Sequence, residues 1–361
     1  MRILQNFGLY PSYRPRLAQL RSGVQTFEEA TTVFLNDRFG GSHVLQPVQQ
    51  RDPSAFFANG DDEFGQRLWA KENGLPTTVS LEDILRSQIE HHRTEVFYNQ
   101  DPMRYGDAFL QTLPGCVRRT IAWRAAPSAG GRFLKHDIIL ANYPSLLEHY
   151  KAQGARAVYF SPAHDPVMDE YAVREDRPID VLFVGTFSRH HRIRASMLEA
   201  IARMRATQNI ALHLDISKYT RLADSPLGLI GPLRKDRRSR DIRAVARPPI
   251  FGRDLLAALS SAKIVVNGKV DMSGEDRGNM RIWEAMGCRA ALVSDAGRYP
   301  APFEDGRNFV SYESESELLA KISELLEDDT RRTAIANAGF ETVSTKYSKT
   351  LQWQDFEKIA T

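Results

Sequence analysis

Short apolar segments alternate with amphipathic helical segments along the whole chain. A short apolar run indicates a buried strand, whereas apolar residues at a 3.6-residue spacing indicate a helix. Strands separated by helices in this way predict an α/β fold with mostly parallel sheets, and ligands at the carboxyl ends of the strands. The predicted strands are residues 2–7, 43–48, 94–98, 119–123, 137–141, 157–160, 179–184, 210–216, 264–266, 290–293 and 309–312. The predicted helices are residues 17–35, 61–73, 80–91, 145–153, 193–205, 255–261, 279–287, 315–326 and 330–343, with a tail from residue 349.

The alternation is interrupted once, at residues 161–178, which hold three prolines and many charges. Such a composition is typical of a linker or an interdomain crossing. A chain of 361 residues is long enough for two domains, each with its own core. We therefore predict an N-terminal domain of residues 1–165 and a C-terminal domain of residues 166–345. Residues 346–361 are predicted to form a terminal helix, and one interpretation has it cross back to the first domain.

Composition narrows the class of protein. Hydrophobic residues make up 42% of the chain and charged residues 26%, as in a globular protein, and the formal net charge of +3 indicates no nucleic-acid partner. Cys116 and Cys288 lie far apart and indicate neither a disulfide framework nor a metal site, which fits a reducing cytoplasm. No apolar run is long enough to span a bilayer, and the first residues are predicted to begin a strand rather than a signal peptide.

Residues 273–295 combine a polar loop, a short helix and an apolar strand. In a helix that begins near Asn279, Arg281 and Glu284 are three residues apart and share a face. The free N–H groups of the helix N-terminus favour phosphate, and a carboxylate one turn further along can accept hydrogen bonds from sugar hydroxyls. The alternative is an ordinary amphipathic helix in which Arg281 and Glu284 pair in solvent. Spacing alone leaves both interpretations open.

The second half holds a series of polar and Gly-containing segments: residues 185–188 with Arg192, then Asn267, and residues 279–287, 306–309 and 334–346. Together these segments resemble the C-terminal half of group 1 glycosyltransferases of the GT-B fold. The pattern Asn-x-Arg-x-aromatic-Glu, followed by a small residue and Gly, is most similar to the branch of the spore maturation protein CgeB. The spacing of Asp276 and Glu284 also resembles the paired-acid motif of retaining group 1 transferases, with Asp in the first place. The resemblance spans residues 180–347, while the first 160 residues are similar in architecture alone.

The resemblance implies two Rossmann-like, doubly wound domains that face a central cleft. It implies transfer of a sugar from a nucleotide-sugar donor to an acceptor, which could be a glycan, a lipid-linked saccharide, a protein or a small molecule. No metal and no cofactor other than this co-substrate are expected. A nucleotide-sugar epimerase or hydrolase on the same fold, and a sugar-nucleotide-binding protein without catalysis, are alternative hypotheses.

The resemblance also assigns donor-binding roles to individual residues. Glu284 would accept hydrogen bonds from the donor ribose, and Arg281 would neutralise a diphosphate oxygen with its planar guanidinium. Gly185 and Thr186 would let the backbone approach the donor, whereas the local alternative is a plain tight turn. Asn267 would orient a sugar or a phosphate, or else cap a local turn. Asn279 completes the predicted donor site.

A catalytic base, which an inverting transferase needs, would come from loops of the first domain. Asp101, directly after a predicted strand, is the first candidate, and His43 is the second. The alternative for Asp101 is a turn-forming role before Pro102.

Residues 234–247, from Arg234 to Arg247, carry seven basic residues and two aspartates. One interpretation is a solvated insertion loop. The others are a clamp on donor phosphates, a site for an anionic acceptor, or a contact with acidic lipid headgroups at the inner face of the membrane. Nucleic acid is not expected, because the segment has no interleaved aromatic residues.

Overall fold

The structure, a computed structural model, describes residues 1–128, 131–188, 191–229, 232–268 and 274–361, apart from the side chains of residues 192, 227, 232 and 235. The chain forms two compact units. The first consists of Met1–Ala163 together with Lys349–Thr361, and the second of His164–Ser348.

The first unit is built on a parallel sheet of six strands in the order β2-β1-β3-β4-β5-β6. Its strands are β1 (Ile3–Asn6), β2 (Ala55–Ala58), β3 (Val96–Asn99), β4 (Arg119–Trp123), β5 (Ile138–Ala141) and β6 (Ala157–Tyr159). Its helices up to residue 163 are α1 (Arg14–Leu20), α2 (Phe27–Asp37), α3 (Gln46–Gln49), α4 (Glu63–Glu72), α5 (Leu81–His91), α6 (Asp107–Leu110) and α7 (Pro144–Ala152).

The second unit has a parallel sheet in the order β12-β11-β10-β7-β8-β9. Its strands are β7 (Ile179–Phe187), β8 (Ile210–Ile216), β9 (Ala246–Arg247), β10 (Ala262–Asn267), β11 (Ala291–Asp295) and β12 (Val310–Tyr312). Its helices are α8 (Asp169–Ala172), α9 (Arg192–Arg203), α10 (Lys218–Asp224), α11 (Arg240–Val245), α12 (Gly252–Ser260), α13 (Met280–Gly287), α14 (Glu315–Glu327) and α15 (Asp329–Lys346).

Both faces of the second sheet are covered, which explains the continuous apolar runs of its strands. In β10, Ile264 and Val266 pack into one apolar cluster, whereas Val265 packs into the cluster on the opposite face. The α/β fold with parallel sheets, predicted from the alternation of segments, is confirmed.

Helix α16 (Lys349–Ala360) belongs to the first unit. Phe356 and Ala360 are buried in the same cluster as Ile3 and Tyr98 of the sheet. The ammonium group of Lys349 donates hydrogen bonds of 2.7 Å to the carbonyl oxygens of Gly41 and Val44. The last helix of the chain therefore completes the core of its N-terminal unit.

Two predicted elements of the first unit are wrong. Residues 43–48, predicted as a strand, form the end of a 3-10 helix (Gly41–His43) and most of α3. A short buried apolar run has the same pattern in a strand and in a helix, and the actual second strand is β2. The predicted helix 17–35 is divided into α1 and α2. Thr26 begins α2 with a capping box that includes Glu29.

The interpretation of residues 234–247 as a loop is also wrong, although four of its arginines are exposed to solvent. The segment contains part of a 3-10 helix (Pro232–Asp236), the whole of α11 and the short strand β9. Ile242 is fully buried in the core of the second unit.

In each sheet the strand order reverses once. Successive strands of the chain are added first on one side of a central strand and later on its other side. In the first sheet β1 lies between β2 and β3, and in the second sheet β7 lies between β8 and β10. The loops that follow such a strand pair turn to opposite faces, which leaves a crevice at the carboxyl edge where ligands of doubly wound sheets bind. The crevices expected here lie at the ends of β1 and β3 and at the ends of β7 and β10.

Throughout the described residues, no helix has the length and apolarity needed to cross a membrane.

We expect Phe356→Ala to destabilise the first unit by about 3–5 kcal/mol, because the change leaves a cavity beneath α16. Urea denaturation measures this loss. Leu351→Ala on the same helix is the control, since Leu351 is 40% exposed and its loss is expected to cost about 0.5 kcal/mol or less. Equal effects of the two substitutions would contradict a core role for α16.

Candidate functional site

The carboxyl ends of β10 and β11 are joined to the start of α13 by side-chain amides. Asn267 is the last residue of β10, and its amide nitrogen donates to Ser294 Oγ at 3.0 Å. Asn279, the N-cap of α13, donates from its own amide nitrogen to Asn267 Oδ1 at 2.9 Å. This chain of hydrogen bonds holds the N-terminus of α13 at the sheet edge. Within the described residues, the side-chain hydrogen bonds of Asn267 therefore go to distant residues rather than to a local turn.

Arg281 and Glu284 form an ion pair within α13, with 2.6 Å between Arg281 Nη1 and Glu284 Oε2. The interpretation that they pair in solvent is wrong on one point, because the side chains are only 17% and 6% exposed. The other carboxylate oxygen of Glu284 accepts no hydrogen bond from the described residues. Asn279 Oδ1 and Arg281 Nε are buried and also lack a partner among the described residues. Since buried polar atoms are nearly always hydrogen-bonded, this first turn of α13 retains unused capacity for a polar ligand.

Gly185 and Thr186 lie within β7, which extends to Phe187, so the alternative interpretation of a plain tight turn at these residues is wrong. A Cβ atom on Gly185 would lie 3.0 Å from the ring of Phe183, so the packing of that ring favours glycine here. Thr186 Oγ1 accepts a hydrogen bond of 3.1 Å from Arg194.

Arg194 joins the two strands that border the crevice. Besides its bond to Thr186 in β7, it donates a hydrogen bond of 2.9 Å to the carbonyl oxygen of Gly268, directly after β10. Its side chain lies on α9 and is largely buried. Sequence reasoning missed this residue, because an arginine in the first turn of an amphipathic helix is ordinarily solvated.

The loop before α13 is held by two arginines that sequence reasoning also missed. Asp276 is buried, and its carboxylate accepts bonds of 2.6 and 2.5 Å from Arg298 Nε and Nη2. Arg277 pairs with Asp295 at 2.6 Å and donates to three carbonyl oxygens of the surrounding loops. Asp276 therefore holds the loop in place. This role differs from the ligand-binding role predicted for Glu284.

A cavity of about 810 Å³ opens beside this loop. Its lining includes Arg194, Gly268, Arg277, Arg298 and Tyr312. The volume is within the range of about 300–1,000 Å³ found for small-molecule sites. The predicted donor residues of α13 are not among its described lining residues, although Gly268 and Arg277 are sequence neighbours of the donor site. The cavity borders the loop before α13 and the first residue after β10, and the polar groups of α13 lie outside its lining.

Asp101 lies at the crevice of the first sheet, just after β3. A Cβ atom on Gly8, just after β1, would lie 3.0 Å from the Asp101 side chain, so the two strand ends meet there. Burial raises the pKa of Asp101, and the nearby Arg104, with Nε at 3.4 Å, opposes the rise. The Asp101 side chain is 23% exposed. A partly accessible carboxylate with a raised pKa has the properties of a general base.

Asp61 is a second acid at this edge that sequence reasoning did not find. Its carboxylate accepts a hydrogen bond of 3.1 Å from the backbone N–H of Leu9 and pairs with Arg14 at 2.5 Å. Burial raises the pKa of Asp61. With these partners, Asp61 holds the loop after β1 in place.

His43, the second base candidate, is buried against Trp123, with 4.5 Å between ring centroids. Burial and the charge of Lys349 lower the pKa of His43 to about 3. The ring is therefore uncharged at neutral pH and a poor proton acceptor. The geometry favours Asp101 over His43.

Among the described residues, no group of three or more His, Cys, Asp or Glu side chains is arranged to hold a metal ion.

Comparisons with known proteins show which family and which solved structures this chain is similar to. Residues 189–358 match the glycosyl transferase-like family. The fold is similar to that of Alr3699/HepE of Anabaena, solved in complex with UDP and glucose, with a TM-score of 0.61 and 14% identity over 99% of both chains. It is also similar to a glycosyltransferase of Rickettsia africae, with a TM-score of 0.50 and 13% identity over 99% of this chain and 97% of that one.

TarM of S. aureus, in complex with fondaparinux, alpha-GlcNAc-glycerol and UDP, matches with a TM-score of 0.54 and 11% identity over 78% of this chain and 59% of its own. No curated protein gives a significant match. The family match and the fold define the chain as a glycosyltransferase of the GT-B fold. The predicted fold class and enzyme class are confirmed.

We expect the stability of the protein to fall between pH 6.5 and about 3, in part because of His43. In this range the unfolded chain binds a proton at this position and the folded chain does not, so His43 contributes a slope of about 1.4 kcal/mol per pH unit. His43→Gln and His43→Phe, which cannot titrate, should both reduce the slope, as measured by urea denaturation at a series of pH values. Variants with the wild-type slope would contradict the buried, neutral state of His43.

Proposed function

We propose that the crevice at β7 and β10 binds the nucleotide diphosphate of a nucleotide sugar, and that the enzyme transfers the sugar to an acceptor hydroxyl. The observation that carries the proposal is the first turn of α13, where a buried Arg281–Glu284 pair and Asn279 lie at the edge of a doubly wound sheet. HepE and TarM, which share the fold, were solved in complex with UDP, and we propose a uridine nucleotide here.

In this proposal, the free oxygen of Glu284 accepts hydrogen bonds from the ribose hydroxyls. The Arg281 guanidinium and the N–H groups at the start of α13 bind the diphosphate. Gly185 and Thr186 in β7 border the other side of the crevice, and Asn267 and Asn279 orient the first turn of α13. Arg194 is added as a positioning residue, because it fixes the separation of the two strand ends.

We propose that the leaving diphosphate is stabilised by Arg281 and by the dipole of α13, without a required metal ion. Both act where negative charge develops as the bond between the anomeric carbon and the diphosphate oxygen breaks. The helix does not need to move to stabilise the leaving diphosphate, since the hydrogen bonds of Asn267 and Asn279 already hold it in place.

For an inverting reaction, we propose Asp101 as the general base. Its carboxylate takes the proton of the acceptor hydroxyl while the acceptor oxygen forms the new bond to the anomeric carbon. The raised pKa of Asp101 strengthens it as a base.

We propose that the chain belongs to the CgeB-like branch, that the transferred sugar is a hexose, and that the enzyme acts in the cytoplasm. The Asn279-x-Arg281-x-Trp283-Glu284 sequence at the start of α13 supports the branch. We also propose that residues 234–247 contact anionic groups, which four exposed arginines support: Arg234, Arg240, Arg243 and Arg247.

We expect Glu284→Gln to weaken UDP binding by about 10- to 100-fold, because charge-assisted hydrogen bonds contribute about 1.5–3 kcal/mol. Calorimetric titration with UDP measures the change. The matched control is Glu304→Gln, which removes an exposed carboxylate paired with Arg307 at the same three-residue spacing and should bind UDP like wild type. Wild-type affinity in Glu284→Gln would place the nucleotide elsewhere.

We expect Asp101→Asn to slow transfer by about 10²- to 10⁴-fold and to abolish the acid limb of kcat/KM. The base works only when deprotonated, so in the wild type activity falls as the pH drops through its pKa. Arg104→Gln removes a charge that lowers this pKa and should move the limb to higher pH. Product formation from UDP-sugars, followed by mass spectrometry across pH, is the measurement. An acid limb that persists in Asp101→Asn would exclude this carboxylate as the base.

A further inference from the structure

The segment that runs from the end of β8 through β9 is a mostly helical insert, formed by described residues 217–229 and 232–247. Helix α10 packs against the 3-10 helices Pro226–Leu229 and Pro232–Asp236. Arg237 donates to the carbonyl oxygens of Ala223 and Ser225 at 2.7 and 2.5 Å, and Arg238 pairs with Asp224 at 2.6 Å. These two arginines hold the insert together, so the basic residues of the segment do not all serve one purpose.

The remaining basic side chains with described exposure lie on the surface. Residues 217–247 contain nine basic and three acidic residues, a net charge of +6, whereas the whole chain has a net charge of +3. The rest of the chain is therefore net negative, and the insert is its positive pole. The exposed basic residues are Lys218, Arg221, Arg234, Arg240, Arg243 and Arg247.

Exposed apolar side chains lie on the same insert. Tyr219 and Leu229 are each 60% exposed, and Leu222 is 43% exposed. In α10, Thr220 and Ala223 are buried, so Tyr219 and Leu222 occupy the outward face together with two basic residues. Single exposed apolar residues are normal on protein surfaces, but three within eleven residues of one small insert form a local group.

The insert exposes both basic and apolar side chains, and this combination favours an anionic bilayer over a soluble polyanion as its partner. A soluble polyanion needs only the basic side chains and gains nothing from Leu222 and Leu229. An anionic bilayer uses both, because headgroups attract arginine and lysine while apolar side chains enter the boundary with the acyl chains. Tyrosine favours that boundary because its ring is apolar and its hydroxyl is polar.

We propose that the helical insert docks the enzyme on an anionic lipid bilayer. Helix α10 follows the carboxyl end of β8, the same edge of the sheet as the ends of β7 and β10. If the proposed function holds, an acceptor anchored in that bilayer is held on the side of the donor site.

Co-sedimentation of the full chain with vesicles tests the proposal without any assay of transfer. Vesicles of phosphatidylcholine mixed with phosphatidylglycerol should bind the protein, whereas phosphatidylcholine alone should not. The combined variant Arg221→Gln, Arg234→Gln, Arg240→Gln should lower binding about 100-fold, since each basic residue near an anionic surface is worth about fivefold. The combined variant Tyr219→Ser, Leu222→Ser, Leu229→Ser should lower it by about tenfold or more.

Inorganic polyphosphate serves as the soluble polyanion for comparison. The apolar variant should bind polyphosphate like wild type while losing the vesicles. Val173→Ser and Arg118→Gln, exposed residues outside the insert, are controls that should leave vesicle binding unchanged. If the apolar variant still bound anionic vesicles like wild type, binding would depend on charge alone, and the proposal would be wrong. Wild-type protein that fails to sediment with anionic vesicles would overturn it as well.

Discussion

The order of strands in the second sheet is the constraint on which the candidate site depends. The chain runs from β7 through β8 to β9 in one direction and then returns to place β10 on the other side of β7. Loops that follow β7 and β10 therefore leave toward opposite faces, and the strand ends border a crevice. Arg194 spans this crevice through Thr186 and Gly268, so the two strand ends keep a fixed separation.

Electrostatics then separates two acids that look alike in the sequence. Asp276 and Glu284 are both buried and both paired with arginine, but both donors of Arg298 bind one Asp276 oxygen within the loop. Glu284 shares one oxygen with Arg281 and keeps the other without a partner in the described structure. Burying an ion pair costs desolvation energy that the pair alone often fails to recover. The cost of burying this pair is therefore consistent with the donor-binding role that we propose for it.

The sequence predicted most of the fold, because long apolar strands and amphipathic helices carry a clear periodicity. It failed at residues 43–48, where Leu45 is buried in the same cluster as Phe356 of α16 and Val48 is also buried. A run that is buried on all sides lacks the pattern that separates a helix from a strand. The division of residues 17–35 into two helices was detectable, since Thr26 and Glu29 have the spacing of a capping box.

The candidate site was predictable only in part. The motif around Arg281 and Glu284 is local, so its residues are recognisable along the chain. Arg194 and Arg298 act across gaps of 74 and 22 residues, on Gly268 and Asp276, and no local pattern indicates such contacts. Asp101 could be placed at a strand end from the sequence, but its raised pKa depends on burial that only the folded sheet provides.

A crystal structure of the protein with UDP tests the central claim most directly. The account predicts the ribose hydroxyls within hydrogen-bond distance of Glu284 and the diphosphate at the first turn of α13, beside Arg281. UDP bound in the cavity lined by Arg277 and Arg298, with no contact to Glu284 or Arg281, would contradict it.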